Sequence, residues 1–257
     1  MRNIITAALL SLTAATGVAG AANADIWHGE RIAGRDILFY TPNELERSGA
    51  GPMVLVFDED AESGSEIART FHLWHDSKKH GYRAVFAGGI AEGNAGAGSP
   101  PIASLLPMAV QMAIETGSAD PENLYIMGFG EAAKAALDFA CQAPGLLRGV
   151  IAIDHPGTDE VPEAPCKGGE GLFVLSVHDG EKSNASAATV NSAAPGRDTS
   201  GVDRALAHMA EGGAIVQSFA VAGDDKDFLS IGAKFHEQSG ASLEALSAAF
   251  IGKTISK

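Results

Sequence analysis

Short apolar runs alternate along this chain with longer stretches whose apolar positions recur at helical spacing. Two extended segments, Ile26–Arg31 and Asp36–Tyr40, end at a Pro42-Asn43 turn, and Met53-Val54-Leu55-Val56-Phe57 follows as an unbroken apolar run. Such a run has the length and composition of a buried strand. Ser65–Lys79 carries a helical pattern and Tyr82–Ala87 the next strand pattern. Residues 88–102 are rich in Gly, Ala, Ser and Pro and read as a loop. Ala103–Thr116 reads as a helix, Leu124–Met127 as a strand running into Gly128, and Glu131–Ala143 as a helix stopped at Pro144-Gly145. Strands at Gly149–Ile153, Leu172–Val177 and Ala214–Val221 remain, with helices at Val202–Glu211 and Leu243–Phe250 and a polar loop over 179–200.

Strands alternating with helices predict an α/β fold, a mostly parallel central sheet covered on both faces in three αβα layers. The first two strands are expected to form an antiparallel edge. No internal repeat or linker divides the chain, so residues 25–257 are expected to form a single domain.

The first residues change the picture before any chemistry is considered. Met1-Arg2-Asn3, an apolar run Ile4–Leu12 and Ala22-Asn23-Ala24 have the form of a secretory signal peptide with cleavage after Ala24. The apolar part is shorter than the roughly 20 residues that span a bilayer, so the mature chain is expected to be exported, periplasmic or secreted, without membrane insertion. A net charge of −14 opposes nucleic acid and anionic membranes and favours a small molecule or cationic ligand as partner. No protein partner is legible. Cys141 and Cys166, an even pair in an exported chain, invite a disulfide, the other reading being two buried thiols.

The most informative segment is DPENLYIMGFGEAAKAALDFACQAPGLLRGVIAI, Asp120 to Ile153. It resembles the strand, nucleophile elbow and helix of secreted α/β-hydrolases, in particular polyhydroxybutyrate depolymerases and feruloyl-esterase-like enzymes. The resemblance implies an α/β-hydrolase fold, and it extends more weakly from about residue 34 to the end. It includes a cysteine after the elbow helix and a second before the following strand.

In that family G-x-S-x-G puts a serine on a sharp strand-to-helix turn, from which it attacks an ester carbonyl. Here the elbow reads Gly128-Phe129-Gly130-Glu131-Ala132, with Gly130 in the nucleophile position. Where the family carries His-Gly beside the oxyanion site, this chain has Asp58-Glu59-Asp60, whose carboxylates oppose a developing oxyanion. His178 stands where a His-Gly segment often begins, and Lys182 and Ser183 replace the expected triad acid, with Asp179 and Glu181 nearby. Lys226 falls where the catalytic histidine is expected, with His236 further on. A triad needs every member within hydrogen-bond range, so these departures together argue against a serine esterase. Neither Ser176, inside a strand, nor Cys141 is a persuasive substitute nucleophile.

The same strand ends carry many acids. Asp58, Glu59, Glu131, Asp154, Asp179, Asp224 and Asp225, with His155 and His178, form the candidate ligand-binding set. Asp60, Lys226 and Asp227 lie close by in the sequence. Oxygen ligands suit Ca²⁺ or Mg²⁺, and the histidines extend the set to Zn²⁺, so a divalent cation is one reading and a solvent-facing rim the other. The metal ligands, if any, are not fixed by a motif.

Three functions follow. The first is an exported α/β-hydrolase-like protein without its serine, a pseudoenzyme with a ligand-binding or interaction role. The second is a carboxylate- or metal-dependent hydrolase acting on an ester-like substrate. The third is a dinucleotide-binding protein, because the elbow also reads as strand followed by G-x-G-x-x-A with Asp154 ending the next strand. Glu131 beside the phosphates opposes that third reading. His72, His75 and His80 have approximate helical spacing, Trp74 is expected to pack on the sheet, and Trp27 to cover an edge of the core, the other reading being the lip of a pocket.

Overall fold

The structure, a computed structural model, describes residues 25–32, 35–46, 49–58, 60–88, 102–155, 166, 168–179, 201–221, 233, 235–237 and 239–255. The expected leader at 1–24, Glu59, Glu181, Lys182, Ser183, Asp224, Asp225, Lys226 and Asp227 lie outside the described residues.

The strands are β1 (Ile26–Ile32), β2 (Arg35–Thr41), β3 (Gly51–Asp58), β4 (Arg83–Ala87), β5 (Ala119–Phe129), β6 (Gly149–Ile153), β7 (Phe173–Asp179) and β8 (Ile215–Val221). The helices are α1 (Gly64–Thr70), α2 (Ser77–His80), α3 (Ile102–Glu115), α4 (Glu131–Gln142), α5 (Gly201–Glu211) and α6 (Leu243–Thr254). All eight strands join one sheet in the order β1-β2-β4-β3-β5-β6-β7-β8. β2 pairs antiparallel with both β1 and β4, and every other pairing is parallel. The expected antiparallel edge is therefore present and includes the β2–β4 contact.

The pleat divides each apolar strand between two cores. Met53, Leu55 and Phe57 of β3 pack with Leu106, Ala132, Ala136 and Met209 from α3, α4 and α5. Val54 and Val56 face the other way, onto Ile67, Phe71, Leu243 and Ile251. Continuous apolar runs such as 53–57 follow from this burial on both faces. Each such side chain contributes roughly 1.5–3 kcal/mol of burial. Arg148 ties α6 to the sheet, its Nε donating to the Thr254 carbonyl at 2.8 Å and its guanidinium lying over the Phe173 ring. The Cys141–Cys166 disulfide is formed and joins the last turn of α4 to the segment before β7.

Two local expectations are corrected. Ser65–Lys79 is not one helix: α1 ends at Thr70, Phe71 is extended, and Leu73–Asp76 forms a 3-10 turn before α2. On a continuous helix Leu73 would project away from the face carrying Ile67 and Phe71, whereas the break buries all three. Trp74 fastens the break by donating from Nε1 to the Ala68 carbonyl at 3.0 Å. β5 begins at Ala119 rather than Leu124, because Ala119 pairs with Gly51 ahead of a register shift in the β3 ladder.

Candidate functional site

Parallel strands that run in one direction bring their carboxyl ends to one edge. Asp58 lies opposite Phe129, Phe129 opposite Ile153, and Ile153 opposite Val177. The residues that follow these positions, Gly130, Asp154, His155 and His178, therefore stand together at that edge. Asp179 ends β7 opposite Val221 of β8.

Gly130 occupies the turn between β5 and α4 with φ 54° and ψ −123°. Its N–H donates to the Ile153 carbonyl at 3.0 Å, and its own carbonyl accepts from Ala133 and Lys134 as the helix begins. A side chain at this φ is strained. A Cβ built on Gly130 would nevertheless meet none of the described residues within 4 Å, so among them the space above the turn is open. Gly128 is different. A Cβ there would collide with the Ala132 backbone, so its lack of a side chain is what lets α4 pack against β5. Ala132, where the motif has a second glycine, is itself buried in the core.

Helix capping separates α4 from its neighbours. Ser63 and Ser242 accept hydrogen bonds from the first turns of α1 and α6, while Gly130 gives α4 no side-chain cap. Glu131 opens the helix and is exposed, a position where a carboxylate is favoured by the helix dipole.

The strand-end groups differ in setting. Asp154 is buried and adopts φ 53°, the single positive-φ residue other than glycine among the described residues. His155 and His178 are both buried, with ring centroids 6.2 Å apart. Ser176 Oγ lies 3.1 Å from His178 Nδ1 inside the sheet, the packing role expected of it rather than that of an exposed nucleophile. Burial pushes the Asp58 carboxyl up, with like charge from Asp60 and Glu66 adding to it, against a hydrogen bond donated by the Asp60 amide.

The acids do not assemble into a metal cage among the described residues. The group of three potential ligands within reach of one another is Cys141, Cys166 and His208, at the opposite edge of the sheet. Sequence reading missed His208, which looks like an ordinary residue of an amphipathic helix. It also missed a cavity of about 610 Å³ between α3 and the β1-β2-β4-β3 face, walled by Ile37, Phe39, Val85, Met108 and Met112. None of the elbow residues lines this cavity. His72 and His75 do share a face, with rings stacked 5.0 Å apart, and Trp27 and Trp74 pack on Tyr40.

Comparison with solved structures places this architecture. Carboxyl esterase 2 from the mycorrhizal fungus Tuber melanosporum aligns over 94% of this chain and 90% of its own, with a TM-score of 0.58 and 13% identity. A dienelactone hydrolase-like promiscuous phosphotriesterase from metagenomic libraries covers 91% of this chain and 100% of its own, with a TM-score of 0.56 and 14% identity. A ferulic acid esterase covers 91% and 99%, with a TM-score of 0.53 and 10% identity. No protein-family model matches the chain, and no curated protein does. The chain has the α/β-hydrolase fold, an eight-stranded, mostly parallel sheet in three αβα layers. That order is not the 3-2-1-4-5-6 order of a dinucleotide-binding sheet, so the topology lends the third reading no support.

Proposed function

We propose that this chain is an exported α/β-hydrolase-fold protein that has lost its serine nucleophile and binds a small molecule, rather than hydrolysing an ester, at the mouth of the former active site. The observation that carries this reading is Gly130. Its backbone has the strained turn that such a nucleophile requires, and its side chain offers no atom to form an acyl-enzyme. The open space above it supports ligand entry. The acidic groups at the same edge favour a cationic small molecule over an anionic one. The leader-like first 24 residues support export, and the disulfide accords with an oxidising compartment.

The test is hydrolysis of short acyl and aromatic esters by the purified protein, with chelator and then with added divalent ions, alongside labelling by a fluorophosphonate. Absence of turnover and of label is the expected result. Turnover only with metal would favour an acidic-rim hydrolase instead. Metal-independent turnover that the fluorophosphonate abolishes would overturn the proposal. For binding, a panel of quaternary ammonium compounds is expected to raise the Tm, and Gly130→Leu, which fills the space above the turn, is expected to remove that rise.

A further inference from the structure

The disulfide has a neighbour that its structural role does not require. His208, in the last turn of α5, is 7% exposed, and its Nε2 is buried with no hydrogen-bond partner among the described residues. Leaving such a nitrogen unsatisfied is costly, so a buried ring nitrogen with no partner among the described residues calls for an explanation. A ring nitrogen of His208 and both sulfurs lie within 4.8 Å of one another. The helix end is pressed against the disulfide: a Cβ on Gly212 would collide with the Cys166 carbonyl. Cys166 is buried and Cys141 partly so. Cys141 lies about 16 Å down α4 from Gly130 at 1.5 Å per residue, so the three residues sit at the edge away from it.

We propose that reduction of the Cys141–Cys166 disulfide opens a zinc site formed by both thiolates and His208, so that the disulfide and bound zinc are alternative states of one clamp. A dithiol supplies two electrons and two protons. The S–S bond breaks, two thiols form, and the dithiol closes to its own disulfide. Zinc then displaces both thiol protons to solvent and takes the His208 nitrogen as its third ligand, leaving one position for water. Two sulfurs and one imidazole are an established zinc donor set. Two thiolates neutralise the dication and the imidazole adds no charge, so the assembled site is neutral overall, which suits burial. The disulfide holds α4 to the segment before β7, and bound zinc adds α5 to the same clamp. The inference is independent of what binds above Gly130.

The experiment reduces the whole protein with a phosphine, which does not compete for zinc as a dithiol does. Zinc is then titrated against a chromophoric chelator, with native mass spectrometry and far-ultraviolet circular dichroism in parallel. The expected result is one zinc per reduced chain, with protons released, and none at this site in the oxidised chain. Cobalt in place of zinc should give a thiolate-to-cobalt charge-transfer band. His208→Ala keeps the disulfide and the folded spectrum when oxidised, and when reduced it binds zinc at least about 100-fold more weakly, since losing a ligand costs no less than losing the group that orients one. Cys141→Ser loses the cobalt band. The proposal is overturned if the reduced protein binds no zinc, if His208→Ala binds as tightly as the parent, or if the reduced chain unfolds and zinc does not restore it.

Discussion

The two edges of the sheet are built on different terms. At the carboxyl edge the chain uses left-handed backbone and buries polar groups: Gly130 and Asp154 both have positive φ, which strains the aspartate, and His155 and His178 are enclosed. At the opposite edge it adds fastenings: the Cys141–Cys166 disulfide, and Arg148 bonded to the Thr254 carbonyl. In open α/β sheets ligands bind outside the carboxyl ends of the strands. The contrast teaches that backbone geometry at a strand-to-helix turn and the side chain it carries are separable. Gly130 holds a positive-φ turn between β5 and α4 while presenting no side chain there, which is what the proposed loss of a nucleophile requires.

Substitutions at each edge sharpen this contrast. The largest effect is expected at Gly128, where any side chain meets the Ala132 backbone. Gly128→Val should cost about 3 kcal/mol, read as a shift in the denaturation midpoint at unchanged slope. An equally stable variant would mean that α4 can slide without penalty and that the close approach is not what holds the elbow.

Removing the clamp comes next. Cys141 and Cys166 are 25 residues apart, and Cys166→Ser should cost about 3 kcal/mol by loop-closure entropy. Denaturation of the variant in the absence of metal checks this, and a loss below 1 kcal/mol would show that the rest of the edge holds by itself.

Gly130→Ser tests the strained turn with less disruption, since the space is open and the cost is that of placing a side chain at φ 54°. About 1–2 kcal/mol of stability should be lost. The same variant should gain no esterase activity, because a serine alone lacks an oriented base. Appearance of fluorophosphonate-sensitive turnover would reveal a working histidine and acid at this edge.

The smallest effect concerns Asp58. Its folded pKa lies above its unfolded one, so folding favours the protonated form. The resulting penalty is absent below the ordinary carboxylate range and complete once pH exceeds the folded pKa. Asp58→Asn should therefore stabilise the protein slightly at neutral pH and change nothing in acid. Thermal melts across that range check the sign, and a destabilising effect at neutral pH would mean that the charge is used by a partner.

Much of the fold was legible because its central strands are buried on both faces. Met53–Phe57 and Gly149–Ile153 are apolar at every position or nearly so, as a strand covered on both faces must be. The single helix that the pattern over 65–79 predicts is broken for a related reason. Its apolar residues suit a helix, and only contact with the sheet turns Leu73 inward and breaks the rod at Phe71. At the candidate site, residue identity was legible in Gly130 and in the acids, while proximity was not.

Sequence alone determined the alternation of strands and helices, the cysteine pair, and the absence of a hydroxyl at the elbow. These depend on local pattern or on single residue identities. Tertiary structure decided the rest. It set the strand order, the φ of Gly130 and Asp154, and the open space above the turn. It also formed the cavity beneath α3 and brought His208 against a disulfide whose cysteines lie far from it in the chain. Each of these depends on contacts between segments distant in sequence, and such contacts are fixed only when the two faces of the sheet are packed.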